Sequence, residues 1–261
     1  MRSTFIFFKH LLRTSIKASM SKRGAFLLEC GLMIANNLIF LSIWWIFFRQ
    51  FNHVAGWDFR DMVVLMAVVS GGFGLVQICF GGVRNLSRMI PSGDLDPFMT
   101  QPKNLLLHVV GSKSFTKGWG NLMTVVALFI LGGIYSPYEI LFTLIGILSS
   151  CLVFTSFSVV VHSLPFWMGS VEGLSKKYCD ALYLFSIYPT NIYSGALQVV
   201  MFTAIPAGVI SYFPVELVRA FSWKHLLLLL GSSMGFFALA FWVFYSGLKK
   251  YESGNRFGTR L

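Results

Sequence analysis

Residues 24–48 read GAFLLECGLMIANNLIFLSIWWIFF, and the only charged side chain in this stretch is Glu29. A bilayer core about 30 Å thick needs about 20 apolar residues for each helical span. The stretch is therefore long enough to cross a membrane as a helix. It lacks the small-x-small cleavage site of a secretory signal peptide, so we expect it to be retained.

The rest of the chain has the same apolar character. Of its 261 residues, 56% are hydrophobic and 12% are charged, which leaves too little polar surface for a soluble domain. We predict an all-α polytopic membrane protein with about six transmembrane helices. The predicted spans are residues 24–48, 61–82, 115–134, 139–164, 176–205 and 225–247. Pro189 leaves two alternatives for the fifth span, one kinked helix or two shorter pieces.

Charge and helix-breaking residues divide the chain around a transmembrane domain of residues 24–247. Lys9, Arg13 and Lys17 recur beside an apolar row, as in a helix that lies in the membrane interface. Pro206 and Pro214 interrupt an apolar stretch before the last span, which favours short re-entrant helices. The remaining predicted segments are an interfacial helix (1–23), a cytosolic loop (83–117), a re-entrant region (206–224) and a cytosolic tail (248–261).

The basic residues predict the orientation. Of the 21 Lys and Arg residues, only Arg49, Arg60, Arg219 and Lys224 fall outside the segments that share a side with the N-terminus. The positive-inside rule therefore places both termini in the cytosol. The net charge of +11 is explained by this topology and by anionic membrane lipids, so we expect no nucleic-acid partner.

The loop stretch Leu86–Asn104, LSRMIPSGDLDPFMTQPKN, contains the strongest functional signal. We expect Pro91 to end an incoming helix, Asp96 to cap a new short helix with Pro97 at its first position, and Pro102 to close that helix. A short helix between rigid breaks is suited to docking on a soluble partner, with Leu95, Phe98 and Met99 filling a groove. The alternative is that these residues pack beneath the membrane domain.

The order of Ile90, Gly93, Leu95, Asp96 and Pro102 resembles the first cytosolic loop of a bacterial family of type-2 ATP-binding-cassette (ABC) exporter permeases. Tyr188, Pro189, Pro206 and Pro214 also match that family's pattern. The resemblance implies the permease subunit of an ABC exporter in the bacterial cytoplasmic membrane. It also implies a separate ATPase dimer, and a second copy of the chain or a paralogous permease. The residues implied in ATPase coupling are Arg88, Ile90, Gly93, Asp94, Leu95, Asp96, Phe98 and Pro102.

The sequence itself also indicates that the chain is not an ATPase. No GxxxxGK[ST] phosphate loop occurs, because Gly111, Ser112, Lys113 and Ser114 lack a glycine immediately before the lysine. The cysteines show no CxxC spacing and the histidines are scattered, so we expect no metal, cofactor or catalytic site.

Three amides, Asn36, Asn37 and Gln77, lie inside predicted spans. An unpaired amide is costly in hydrocarbon, so at least one of the two asparagines should face another helix, and interhelical hydrogen bonds are favoured over substrate contact. The alternative function, an ATP-independent transporter or channel, would place these amides on a gated pathway. Ser70 and Gly74 form a small-xxx-small pair, for which packing within the chain is favoured over a dimer seam.

Overall fold

The computed structural model describes residues 2–51, 53 and 56–252. Of this part 80% is helical and none forms strands, which confirms the prediction of an all-α polytopic membrane protein. The α-helices in chain order are α1 (Arg2–Ser19), α2 (Arg23–Gln50), α3 (Phe59–Cys79), α4 (Leu86–Ser92), α5 (Asp96–Met99), α6 (Leu105–Gly111), α7 (Lys117–Leu131), α8 (Pro137–His162), α9 (Pro165–Met168), α10 (Glu172–Ser186), α11 (Ala196–Phe202), α12 (Ala207–Arg219) and α13 (Trp223–Leu248). Residues 253–261 of the predicted tail lie outside the described residues.

Several helices are long and apolar enough to cross a membrane. Within the described residues these are α2, α3, the stretch Pro137–Met168 that contains α8, and α13. The pair of α11 and α12, bent by 83°, is a fifth candidate. Helix α7, at the predicted third span, is apolar but has only 15 residues, or roughly 22 Å at 1.5 Å per residue.

The predicted fifth span is not a single helix. Helix α10 ends at Ser186 and α11 begins at Ala196, with a short 3-10 turn (Thr190–Ile192) between them. Pro189 has extended backbone angles and no N–H group to donate, so it splits the segment. Of the two alternatives predicted for this span, the structure therefore has the two shorter pieces. The bent pair α11 and α12 overlaps the predicted re-entrant region, and its re-entrant position in the membrane stays a prediction.

Helix α3 forms the centre of the bundle. It packs most extensively against α7 and α8. Of its most apolar stretch 83% is buried, whereas the value for α2 and for α13 is 17%. A Cβ at Gly72 would lie 2.6 Å from the Cβ of Ser150, and one at Gly74 would lie 2.9 Å from the Cβ of Asn121. Glycine is therefore needed for this close approach, and packing within the chain is confirmed for the Ser70–Gly74 pair.

A second, smaller core joins the loop to the ends of α8 and α13. Its buried residues include Leu86, Ile90 and Leu95 from the loop, together with Val159 of α8 and Phe244 of α13. Helix α1 lies on the same loop, because the hydroxyl of Ser15 donates to the carbonyl of Gly111 at 3.1 Å. The loop is thus a packed part of the protein rather than a free linker.

Candidate functional site

The loop segment singled out by the sequence forms α4 and α5 with a tight turn between them. Helix α4 keeps Pro91 in its last turn and ends at Ser92, with Gly93, whose φ is 75°, as its C-cap. The N–H groups of Gly93 and Asp94 donate to the carbonyls of Ile90 at 3.5 Å and Met89 at 3.1 Å, which closes the helix end. The expectation that Pro91 ends the helix is wrong, because proline removes only one N–H and the left-handed Gly93 makes the turn.

Helix α5 begins earlier and ends earlier than expected. Its N-cap position is held by Leu95, so Asp96 is the first helical residue and not the cap, and Pro97 stands in the first turn. The helix ends at Met99, three residues before Pro102. The expected start was wrong because Leu95, buried in the second core with helical backbone angles, takes the N-cap position and moves the start back by one residue. The expected end was wrong because the helix is closed at Thr100, its C-cap, whose N–H donates to the carbonyl of Asp96.

Burial divides the segment into an inner and an outer part. Ile90 is 6% exposed and Leu95 is 0% exposed. Leu95 is therefore unavailable to a partner, and the expectation that it fills a partner's groove is wrong because it fills the chain's own core. Gly93, Asp94, Asp96 and Phe98 are half-buried. The outer part includes the exposed residues Arg88, Pro97, Met99 and Pro102, which we name the docking face after the role that is proposed for them below.

Asp96 connects the segment to the end of α13. Its carboxylate accepts a hydrogen bond of 2.8 Å from the hydroxyl of Tyr251, and the Tyr251 ring packs edge-on against Phe166 at 6.2 Å. Burial and the carboxylates of Asp96 and Asp94 raise the pKa of Tyr251 well above its usual value, so the hydroxyl stays protonated and donates. Sequence reasoning did not find Tyr251, which lies 155 residues from Asp96.

A second connection joins α4 to α8. The Nδ1 atom of His162, the last residue of α8, lies 2.9 Å from the hydroxyl oxygen of Ser87. Its Nε2 atom lies 3.7 Å from the sulfur of Cys179 in α10. The His162 side chain is buried, and the described residues contain no group of side chains that could hold a metal ion. The histidine therefore fixes the position of α4 against two neighbouring helices.

Three buried amides and one threonine form a chain of hydrogen bonds that we name the polar seam, consisting of Asn37, Gln77, Asn121 and Thr124. The Asn37 amide donates to the Asn121 side-chain oxygen at 2.9 Å and to the Thr124 hydroxyl at 3.2 Å. The Asn121 amide donates to the Gln77 oxygen at 3.2 Å. The seam joins α2, α3 and α7, whereas Asn36 is exposed on the other side of α2. Asn121 and Thr124 were missed, although each is a polar residue within an apolar run.

Arg219 forms several contacts at the end of the bundle opposite to α4 and α5. Its Nε atom donates to the Asp61 carboxylate at 2.7 Å, and its terminal nitrogens bond the Glu216 carboxylate at 2.7 Å and the Gly56 carbonyl at 2.9 Å. The guanidinium carbon lies 5.2 Å from the ring centroid of Trp57. These contacts tie the start of α3 to the end of α12. The sequence showed Arg219 only as an outer basic residue.

Comparison with known proteins gives a family match. The model of a family described as "ABC-2 family transporter protein" matches residues 32–255, which is most of the chain. The match covers α2 from residue 32 onward and all of α3 to α13, and therefore includes the docking face and the polar seam. No curated protein and no solved structure matches the chain.

Proposed function

The chain belongs to the ABC-2 family of transporter proteins, and from this premise we propose that it is the permease subunit of an ATP-driven exporter. Family membership makes it a membrane subunit of an ABC transporter rather than an ATPase. We further propose that the protein moves its substrate out of the cell, that a separate ATPase dimer drives it, and that this dimer binds the docking face on the cytosolic side. We place the protein in the bacterial cytoplasmic membrane with both termini in the cytosol, because the basic residues lie mainly on the side of the N-terminus.

One observation supports the proposal most strongly: the segment of α4 and α5 is anchored to the transmembrane helices at several points. Leu95 is fully buried in the second core. Asp96 is bonded to Tyr251 beyond α13, and Ser87 is bonded to His162 at the end of α8. A closely packed unit transmits a displacement instead of absorbing it. A push on the docking face therefore moves α8 and α13.

The coupling residues implied by the family resemblance divide into two roles. We propose that Arg88 and Pro102, in the docking face, contact the ATPase, with Phe98 and Asp94 at its rim. Asp94 is held in place by the Ser92 hydroxyl, which donates to it at 2.7 Å. Ile90, Gly93, Leu95 and Asp96 give the segment its shape and its anchorage.

We propose that a second permease, a copy or a paralogue, covers the outer face of α2. This face is apolar, with Leu32 and Ile39 more than half exposed, and Asn36 lies between them. An amide in the middle of a span is unfavourable in contact with lipid, so a partner chain that accepts its hydrogen bonds is favoured. The alternative of an ATP-independent transporter or channel needs Asn37 and Gln77 to line a gated pathway. It has less support, because both side chains form hydrogen bonds to Asn121 within the polar seam.

The proposal is tested by co-purification of the ATPase with an affinity-tagged chain. Arg88→Glu combined with Met99→Glu reverses one charge and adds another on exposed positions of the docking face. We expect the recovered ATPase to fall at least tenfold. Lys113→Glu is the matched control, because it reverses an exposed charge of the same loop outside the docking face. Equal ATPase recovery from both variants and the unmodified chain would overturn the assignment.

A further inference from the structure

A cavity of about 320 Å³ opens on the surface of the bundle, and no docking-face residue lines it. It lies between α6, α8 and α13, and the exposed rings of Phe237 and Phe241 form one wall. The only hydroxyl groups in the lining are those of Thr155 and Ser156. The cavity has the size of a small-molecule site, and its apolar lining suits a hydrocarbon chain rather than a polar solute.

The cavity adjoins further apolar surface along α13, toward the end of the helix. Phe237 and Phe241 also line a second groove, together with Trp242, Tyr245 and Lys249. Twelve residues separate Phe237 from Lys249, or roughly 18 Å along a helix. One leaflet of a bilayer has a hydrocarbon depth of roughly 15 Å, half of the full core. The combined groove therefore has the length of one lipid chain running from the headgroup level toward the bilayer centre.

The polar end of the groove has the charge and the side chains of a headgroup site. Lys249 is exposed, and none of the ion pairs between described residues involves it. Trp242 and Tyr245 have amphipathic rings of the kind that lie at the headgroup level. A lysine at this level attracts anionic lipids of the cytosolic leaflet.

We propose that this groove binds one anionic phospholipid, with an acyl chain in the cavity and the phosphate at Lys249. The assignment to the cytosolic leaflet rests on the orientation proposed above. Phe80, Leu106 and Leu107 in the cavity wall belong to the loop or its start, so the bound lipid braces the loop that carries the docking face. The lipid is thus a structural ligand of the permease.

The test uses a phosphatidylglycerol with a photoreactive diazirine at the end of one acyl chain. The intact transporter is reconstituted in phosphatidylcholine nanodiscs that contain a small fraction of this probe, and labelled peptides are identified by mass spectrometry. We expect labelling to concentrate in residues 148–159 and 237–241. Lys249→Gln should lower it about fivefold, because one lysine near an anionic surface contributes about 1 kcal/mol. Lys250→Gln is the matched control, since Lys250 lines a different pocket.

A second variant tests the cavity itself. Ala240→Leu adds bulk at a buried cavity-lining position and should abolish labelling of residues 148–159. Leu239→Phe, an exposed change that is not in the lining, should leave that labelling unchanged. Labelling spread evenly over α2 and α13 would overturn the proposal, as would equal labelling by a phosphatidylcholine probe or a crosslink that shows a second permease in the groove. ATPase co-purification is scored separately, so failure of the lipid site is distinguishable from failure of the proposed function.

Discussion

At the scale of the residue, the hydroxyl of Tyr251 joins the segment of α4 and α5 to the chain that follows α13. It donates to Asp96, and a hydrogen bond to a charged group contributes about 1.5–3 kcal/mol. Tyr251→Phe removes the donor and keeps the ring that packs against Phe166. We predict that amide hydrogen exchange in residues 94–100 rises about tenfold or more in this variant. Tyr178→Phe, an exposed control, should leave the exchange unchanged, and the same result for both variants would contradict the role of Tyr251.

The adjacent asparagines of α2 provide a second residue-scale prediction. Asn37→Leu removes the amide that donates to the Asn121 side-chain oxygen and the Thr124 hydroxyl, and a buried acceptor left without its donor costs about 1–3 kcal/mol. Asn36→Leu replaces an exposed amide and leaves the polar seam intact. We therefore expect a lower thermal unfolding temperature for Asn37→Leu than for Asn36→Leu in detergent-purified protein. An equal decrease in unfolding temperature in the two variants would contradict a stabilising role for the polar seam.

At the scale of the element, α3 determines how closely the helices pack. A side chain at Gly74 would meet Asn121 and the backbone oxygen of Gly118 at 2.9 and 3.0 Å, so α3 and α7 would have to separate. We predict that Gly74→Leu lowers the yield of monodisperse protein several-fold in size-exclusion chromatography. Gly31→Leu in α2 should have little effect, because nothing lies within 4 Å of the added Cβ. Comparable yields from the two variants would contradict this account of the packing.

At the level of single elements, the apolar runs predicted the long helices correctly, whereas the proline and capping signals misplaced the ends of the short ones. The apolar runs at residues 24–48 and 225–247 correspond to α2 and α13, because the need to satisfy backbone groups in lipid leaves few alternatives to a helix. Pro189 was recognised as a breaker, but sequence alone did not decide between a kink and a split. The end of α4 was misplaced because the left-handed Gly93 makes the turn, and the start of α5 was misplaced because the buried Leu95 takes the N-cap position.

At the scale of the whole molecule, the candidate site depends on contacts between distant parts of the chain. Ser87 and His162 are 75 residues apart, and Asp61 and Arg219 are 158 residues apart. No periodicity or spacing in the sequence reports such pairs. The sequence therefore identified the loop and its family resemblance, whereas the anchorage of that loop to α8 and α13 required the packed structure.

At this scale we propose that the bundle transmits a displacement from one of its ends to the other. The docking face lies at one end of the bundle, and the contacts of Arg219 with Asp61 and Glu216 hold the other. Helix α8 connects the two regions, since it packs against α3, α12 and α13. On the proposed function, a displacement of α4 and α5 would pass through these contacts to α8 and α13.

The most direct test of this account is a site-specific crosslink between α5 and the ATPase in a transporter that is hydrolysing ATP. Met99→Cys places a thiol on the docking face, in a chain whose four native cysteines are replaced, and Leu95→Cys places one in the buried core four residues earlier. The account predicts a crosslinked permease–ATPase product from Met99→Cys and none from Leu95→Cys. Absence of the product from Met99→Cys, in preparations where the ATPase is bound and active, would contradict it.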